Sequence, residues 1–147
     1  MNKSPDNSLG KVLANVNRKA YTAAGGDRFP HGQCTWYCAG RAMEKYKIDL
    51  SELLPAPANG GEWFDKIQCT EKVTKRPATE PLLTDSIASF AHNTFGHVAF
   101  IECVKDGFVY FTEYNWKLAQ NGRLQKISIE GFKALHGCTL NGYIIIR

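Results

Sequence analysis

The sequence predicts a single α+β domain, with N-terminal helices packed on an antiparallel β-sheet. Helical spacing of apolar residues is confined to the chain before residue 70. After it come short segments rich in Val, Ile, Phe, Tyr and Thr, separated by Gly, Asp and Asn. The 147 residues, 44% hydrophobic and 22% charged, suit one globular core. Helices followed by strands favour a layer of helices on one face of the sheet.

Three helices are predicted in the first half of the chain. The first begins at Ser8 as N-cap. Its apolar residues recur at three- and four-residue steps and are expected to lie on the core: Leu9, Val12, Leu13 and Val16. The second helix spans about residues 34–47. A short third one covers residues 62–67, after the turn sequence at residues 59–61.

Five strands are predicted in the second half. They cover residues 86–91, 96–104, 108–115, 126–129 and 142–146. Turn residues separate them, among them Asp106 and Gly107 between the second and third. The lengths and turns are typical of an antiparallel sheet.

Charge and hydropathy narrow the range of partners. The net charge of +4 and the pI near 8.8 favour anionic surfaces, and acidic cell-wall polymers fit as well as nucleic acid does. No apolar stretch approaches the roughly 20 residues of a membrane span, and no signal peptide is recognisable. Five cysteines leave at least one thiol unpaired, and without paired Cys-x-x-Cys units a structural zinc site is disfavoured.

Cys34 is the most informative cysteine because it follows a glycine turn at the predicted start of a helix. The unpaired N–H groups and partial positive charge of a helix start favour a thiolate. Cys38, one helical turn along on the same side, is the alternative nucleophile, but it lacks that position and is interpreted as a core residue.

A thiolate nucleophile needs a base, and the base needs an orienting group. Among four histidines, His97 lies in a strand pattern, whereas His92 and His136 are interpreted as loop histidines. Glu113 and Asn115 lie two residues apart on the next predicted strand and therefore share a face.

The turn between these strands decides whether that face is also the face of His97. A three-residue loop, Lys105 to Gly107, puts His97, Glu113 and Asn115 on one face. A two-residue loop sends the carboxylate to the opposite face. We therefore predict the three-residue turn.

These residues together can carry out acyl transfer from an amide to water. Cys34 attacks the carbonyl carbon, and His97 passes the proton to the leaving amine. Glu113 or Asn115 orients the imidazole. The backbone N–H of Cys34, with Gln33, is expected to bind the oxyanion. Two aromatic residues are candidates for a substrate groove, with core packing as the alternative: Trp36 and Trp116.

Three motifs resemble the CHAP family of cysteine, histidine-dependent amidohydrolases and peptidases. They are Gly32-Gln33-Cys34-Thr35-Trp36-Tyr37, Gly96-His97-Val98-Ala99 and Glu113-Tyr114-Asn115. The likeness extends from about Tyr21 to residues 142–144, which divides the chain into an N-terminal helix or extension (residues 1–20) and a CHAP-like catalytic domain (residues 21–147).

The resemblance implies a papain-like fold and hydrolysis of an amide bond in peptidoglycan. It implies Cys34 as nucleophile, His97 as base, Glu113 as orienting acid and Asn115 as support, with no cofactor. Some members bind calcium just before the cysteine, but residues 25–31 hold one acid and an arginine, so we predict no metal there.

The expected partner is bacterial peptidoglycan. We expect no binding of nucleic acid and no membrane span. A wall-binding domain, which many members carry, does not fit in this length and would be a separate domain or subunit. The expected site of action is the bacterial cell wall, reached by secretion or by phage-encoded release at lysis. The alternatives are an amidase for a soluble peptide-like amide and a non-catalytic wall-binding module with a vestigial triad.

Overall fold

A six-stranded antiparallel sheet is the centre of the fold in the computed structural model, which describes residues 4–23, 29–55 and 58–147. The strands are β1 (Val73–Pro77), β2 (Ser86–Ala91), β3 (His97–Lys105), β4 (Phe108–Thr112), β5 (Gln125–Ser128) and β6 (Thr139–Ile146). Their order is β1-β6-β2-β3-β4-β5, so the last strand lies between the first two. The α+β prediction is confirmed, and each of the five predicted strands has a counterpart. Strand β1 was not predicted.

The helices are α1 (Ala20–Ala23), α2 (Cys34–Tyr46), α3 (Trp63–Lys66) and α4 (Ile129–Lys133). Short 3₁₀ helices cover Pro5–Ser8, Leu50–Glu52, Gly60–Glu62, Leu118–Gln120 and Leu135–Gly137. Helix α2 matches the second predicted helix. Its C-cap residue is Lys47, which adopts a left-handed conformation and donates its N–H to the Met43 carbonyl at 2.9 Å. None of the helices in the described part of the chain is long and apolar enough to cross a membrane.

The sheet carries apolar side chains on both faces. Val98 and Phe100 of β3 belong to the core that includes α2, whereas Ala99 and Ile101 belong to the core with Phe132 of α4. This division follows from the alternation of side chains along a strand. Helix α2 contributes four fully buried residues to the first core: Tyr37, Cys38, Ala39 and Ala42. The start of α2 thereby lies beside the start of β3.

The first predicted helix is not formed. Ser8 ends a 3₁₀ helix, and three of the four predicted core residues are exposed: Leu9 (40%), Val12 (52%) and Leu13 (39%). Only the fourth, Val16, packs against the core. The backbone instead pairs with the chain before β5: Gly10 donates its N–H to the Leu124 carbonyl, and Leu124 donates to Lys11, both at 2.9 Å. Gly10 has a φ of +78°, which a continuous helix does not allow.

The predicted three-residue turn between β3 and β4 is wrong. Lys105 lies opposite Phe108, so the loop has two residues, Asp106 and Gly107, with φ of 53° and 83°. Positive φ at both positions is the I′ geometry that Asp-Gly favours in hairpins.

A β-bulge nevertheless restores the predicted register. The pairing shifts between Ile101 and Cys103, and beyond the shift Phe100 lies opposite Thr112. One extra residue in β3 moves every later pair by one position. The pairs near His97 therefore follow the register that a three-residue turn would have given.

Glu102 occupies the bulge and is buried. Its carboxylate accepts hydrogen bonds from Arg41 Nε and Nη2 at 2.9 and 3.0 Å and from Thr112 Oγ1 at 2.9 Å. A buried carboxylate is stable only with such partners. The contact with α2 therefore gives a physical reason for the extra residue at this position.

Candidate active site

Cys34 is the first residue of α2. Gly32, with a φ of +87°, makes the turn before it, and Gln33 is the extended N-cap residue. N–H groups in the first turn of a helix have no intrahelical acceptor, and the helix dipole is positive there. The Cys34 thiol, which is partly exposed, therefore lies at the electropositive end of α2.

A cleft of about 490 Å³ opens above this helix end. Cys34 and His97 lie in its wall, together with Gln33, Phe95 and Trp116. The volume is within the range of ligand-binding clefts in proteins. A substrate group of moderate size can thus reach the thiol and the imidazole together.

His97 is the first residue of β3 and is 2% exposed. Its Nε2 lies 2.7 Å from Glu113 Oε1, and His97 lines the same cleft as Cys34. An ionised carboxylate only accepts hydrogen bonds, so Nε2 carries the proton and Nδ1 is left for the sulfur. Burial lowers the pKa of His97, but the hydrogen bonds with Cys34 and Glu113 outweigh burial and raise the pKa to about 9.

Glu113 lies just beyond the end of β4 and is buried. It accepts hydrogen bonds from His97, from Gln125 Nε2 at 3.0 Å and from His136 Nε2, which is 2.9 Å from both carboxylate oxygens. Burial raises the pKa of this carboxyl, but the hydrogen bond and charge of His97, with a smaller contribution from His136, lower it on balance. Glu113 is therefore a carboxylate.

His136 was not identified from the sequence. Its 3₁₀ turn carries no strand or helix pattern, and 23 residues separate it from Glu113. Its ring stacks on Trp116 with centroids 4.3 Å apart and planes 8° apart, and Trp116 contacts the His97 ring at 5.0 Å. The only local signal is the sequence His136-Gly137, which permits the positive φ seen at both residues.

Asn115 does not hydrogen bond with His97. It has a φ of 61° and lies beyond β4 rather than on the predicted strand. Its Nδ2 donates to Gln33 Oε1 at 2.8 Å. The structure thus connects Asn115 to the start of α2, and the position next to His97 belongs to Glu113.

Two other predicted positions are in the core. Trp36 is 3% exposed and contacts the His31 ring at 4.3 Å, so it does not form a wall of the groove. Cys38 is fully buried, and burial, together with the negative charges of Cys34 and Glu113, raises the pKa of its thiol well above the usual range. Cys38 is therefore held as a thiol, as its interpretation as a core residue expects.

Among the described residues, one cluster has the composition of a metal site. The ligand atoms of His97, Glu113 and His136 lie within 4.8 Å of one another. Two N–H groups donated to one carboxylate account for these distances, so the cluster is complete without an ion. The prediction that no calcium binds within residues 25–31 stays a prediction, because residues 25–28 of this loop lie outside the described residues.

The fold is the papain-like α+β fold, and a thiol, an imidazole and a carboxylate lie together at its cleft. The chain belongs to the CHAP domain family, whose match covers residues 24–115. The resemblance seen in the three motifs is thus confirmed.

Similar proteins are found in sequence and in structure. An N-acetylmuramoyl-L-alanine amidase domain-containing protein of Staphylococcus aureus (strain NCTC 8325 / PS 47) is 34% identical over 92 residues, which are 60% of this chain and 14% of that protein. Crystal structures of Ly7917, one of them with the hydrolyzing product of MDP, superpose with TM-scores of 0.64 and 0.62 at 13% identity. They cover 90% of this chain and 62% and 63% of the Ly7917 chains. This chain therefore spans a small part of the staphylococcal protein and less than two thirds of Ly7917.

Proposed function

We propose that this protein is a peptidoglycan hydrolase that cleaves an amide bond of the bacterial cell wall by thiolate catalysis. The observation that carries the proposal is that Cys34 and His97 share the wall of an open cleft, in which His97 hydrogen bonds with the buried Glu113. Membership of the CHAP family and the amidase domain of the staphylococcal relative support this substrate class. The proposed site of action is the cell wall, with peptidoglycan as partner.

In the proposed reaction the Cys34 sulfur attacks the amide carbonyl carbon while His97 holds the thiol proton. The imidazolium then donates this proton to the amine nitrogen as the C–N bond breaks, which leaves a thioester on Cys34. His97 next takes a proton from water, the hydroxide attacks the thioester, and the sulfur leaves with the proton from His97. Glu113 keeps the imidazole oriented and balances its charge throughout.

Two donors are available for the oxyanion of the tetrahedral intermediate. One is the backbone N–H of Cys34 in the first turn of α2. The other is the side-chain amide of Gln33. The backbone N–H of Gln33 is not available, because it is donated to the Pro30 carbonyl at 3.2 Å. Asn115 holds Gln33 Oε1, which fixes where the Gln33 NH₂ group points. Asn115 thus supports the oxyanion donor in this proposal.

The test compares Cys34→Ala with Cys38→Ala, a second cysteine one helical turn away. Cys34→Ala should reduce amine release from purified peptidoglycan by about 10⁴-fold or more while the circular dichroism spectrum is unchanged. Cys38→Ala should retain activity, because its thiol is buried and held protonated. Clearing of purified walls by Cys34→Ala would contradict the thiolate mechanism.

The cleaved bond is identified by mass spectrometry of products from defined peptidoglycan. A new N-terminal alanine indicates an amidase, which the name of the staphylococcal relative favours. A new glycine or diamino-acid end indicates an endopeptidase of the stem peptide or cross-bridge. Turnover of a soluble fluorogenic amide without wall hydrolysis would favour the soluble-amide alternative instead.

A further inference from the structure

The Glu113 carboxylate holds a second imidazole that the proposed reaction does not use. His136 Nε2 lies 2.9 Å from both carboxylate oxygens, while His97 Nε2 lies 2.7 Å from Oε1. Because the carboxylate can only accept, both imidazoles donate to it. His136 thus binds the same acid as the base does, from a separate element of the fold.

Glu113 depends on side-chain partners for its orientation. Strand β4 ends at Thr112, and beyond it the Gly122 N–H, donated to the Glu113 carbonyl at 2.8 Å, holds the backbone but leaves the side chain to its own partners. A glutamate side chain loses considerable rotamer freedom when it is fixed in one geometry. His136 and Gln125 supply the donors besides His97 that oppose this loss.

His136 is itself rigidly placed. It lies between the buried residues Leu135 and Cys138 and has a φ of 57°. A residue other than glycine in this region is strained, and such strain is concentrated at functional sites. Its ring is also stacked face to face on Trp116 at 4.3 Å.

We propose that His136 is a positioning residue, which donates its Nε2–H to Glu113 and thereby holds the carboxylate in the orientation that His97 needs. His136 acts through Glu113 and does not contact the reacting atoms. The expected effect on hydrolysis rests on the proposed function, whereas the expected effect on the Cys34 thiol does not. Loss of the donor should therefore change the reactivity of Cys34 even without a substrate.

Two variants separate donation from packing. His136→Phe keeps an aromatic ring against Trp116 and removes the donor, whereas His136→Gln keeps an N–H donor and removes the ring. We expect His136→Phe to reduce kcat by about tenfold, the lower end of the effect of outer hydrogen-bond partners, with KM changed less than about twofold. His136→Gln should be closer to the wild type. A residue that serves packing alone would give the reverse order, and that order would overturn the proposal.

Alkylation by iodoacetamide at pH 6, followed for each cysteine by mass spectrometry, supplies the substrate-free measurement. Cys34 should react about three- to tenfold more slowly in His136→Phe than in the wild type, because the thiolate–imidazolium pair is less stable. The exposed Cys69 serves as an internal reference and should not change. If His136→Phe does not unfold cooperatively, His136→Met, which also lacks a donor, takes its place.

A double-mutant cycle tests whether His136 acts through the acid. In a Glu113→Gln background, His136→Phe should cause less than a twofold further change in Cys34 alkylation, because the two residues form one unit. An undiminished effect in that background, or an unchanged Cys34 rate in the single variant, would overturn the proposal. If Cys34 alkylation changes as expected but no variant hydrolyses peptidoglycan, the proposed function fails and the positioning role stands.

Discussion

At the scale of single residues, burial and hydrogen bonding have opposite effects on the stability of the charged form of a side chain. Burial disfavours the charged forms of both His97 and Glu113, and the hydrogen bond between them favours both. Cys38 has burial without a compensating donor, so its pKa is raised and its thiol stays protonated. The choice between two cysteines one turn apart thus follows from the partners around each sulfur.

The pKa of His97, which interactions with Cys34 and Glu113 raise, and the lowered pKa of Glu113 give a testable pH dependence of stability. The pKa of His97 is raised from 6.5 to about 9, so its stabilising contribution is complete below pH 6.5 and is lost as the pH rises to about 9. The pKa of Glu113 is lowered, so its contribution is present above the ordinary carboxyl range and is lost as the pH falls through its folded-state pKa. The pair therefore stabilises the fold most between these two limits.

Urea unfolding of the wild type and His97→Gln between pH 5 and pH 10 measures this contribution. The difference in unfolding free energy should be largest near pH 6 and should decrease between pH 6.5 and about 9. His92→Gln is the matched control, because His92 hydrogen bonds with Asn93 and not with a carboxylate. A difference for His97→Gln that is independent of pH would contradict the raised pKa.

At the scale of elements, close backbone contact fixes the start of β3. Gly61 donates its N–H to the Phe95 carbonyl at 3.0 Å, and Gly96 has a φ of +69°. A Cβ at Gly96 would overlap the Gly61 backbone, and a Cβ at Gly60 would come within 2.8 Å of the His97 carbonyl carbon. The 3₁₀ helix Gly60–Glu62 therefore lies directly against the backbone that carries the imidazole.

Gly96→Ala and Gly107→Ala form a matched pair that tests this contact. Both substitutions put alanine at positive φ, which costs about 1–2 kcal/mol, but Gly107 has no atom near a new Cβ. Gly96→Ala should lower the unfolding free energy by about 1–3 kcal/mol more, because of overpacking. It should also slow Cys34 alkylation, since His97 moves with its backbone, whereas Gly107→Ala should not. Equal effects of the two substitutions would argue against the close contact.

Features of the fold that depend on local sequence patterns were predicted from the sequence, whereas features that depend on distant contacts were not. Strand β2 and helix α2 were predicted at or near their bounds because their patterns are local. Strand β1 was missed because Lys75, Arg76 and Pro77 give it the polar character of an edge, and it pairs only with β6. An edge strand of this kind shows little of the alternation of apolar and polar residues from which strands are predicted.

In the candidate site, too, local motifs were recognised from the sequence, whereas an effect of distant contacts was not. Cys34, His97 and Glu113 were found because motifs carry them, but the reason given for their alignment, a three-residue turn, was wrong. The actual alignment depends on the bulge at Glu102, whose partner Arg41 is 61 residues away. No pattern within one strand contains that information.

At the scale of the whole molecule, α2 connects two distinct regions. Cys34 at its first residue faces the cleft, whereas Lys45, near its end, lines a second cavity together with Pro5, Ser8 and Leu13 of the N-terminal segment. Eleven residues of helix at 1.5 Å each separate these ends by about 16 Å. The N-terminal segment thus contacts the fold away from the thiol.

This separation predicts that removal of residues 1–9 affects stability and not catalysis. The deletion removes Asp6, which accepts hydrogen bonds from Tyr110 at 2.8 Å and from Lys126 at 2.9 Å, together with the buried Ser8. Tm should decrease by about 5 °C, while kcat and KM for wall hydrolysis stay within about twofold at a temperature well below Tm. Asp6→Ala should give a smaller decrease in Tm, because it leaves Ser8 in place. A changed KM in the deletion variant would instead mean that the segment contributes to substrate binding, since the cleft residues themselves are unaltered.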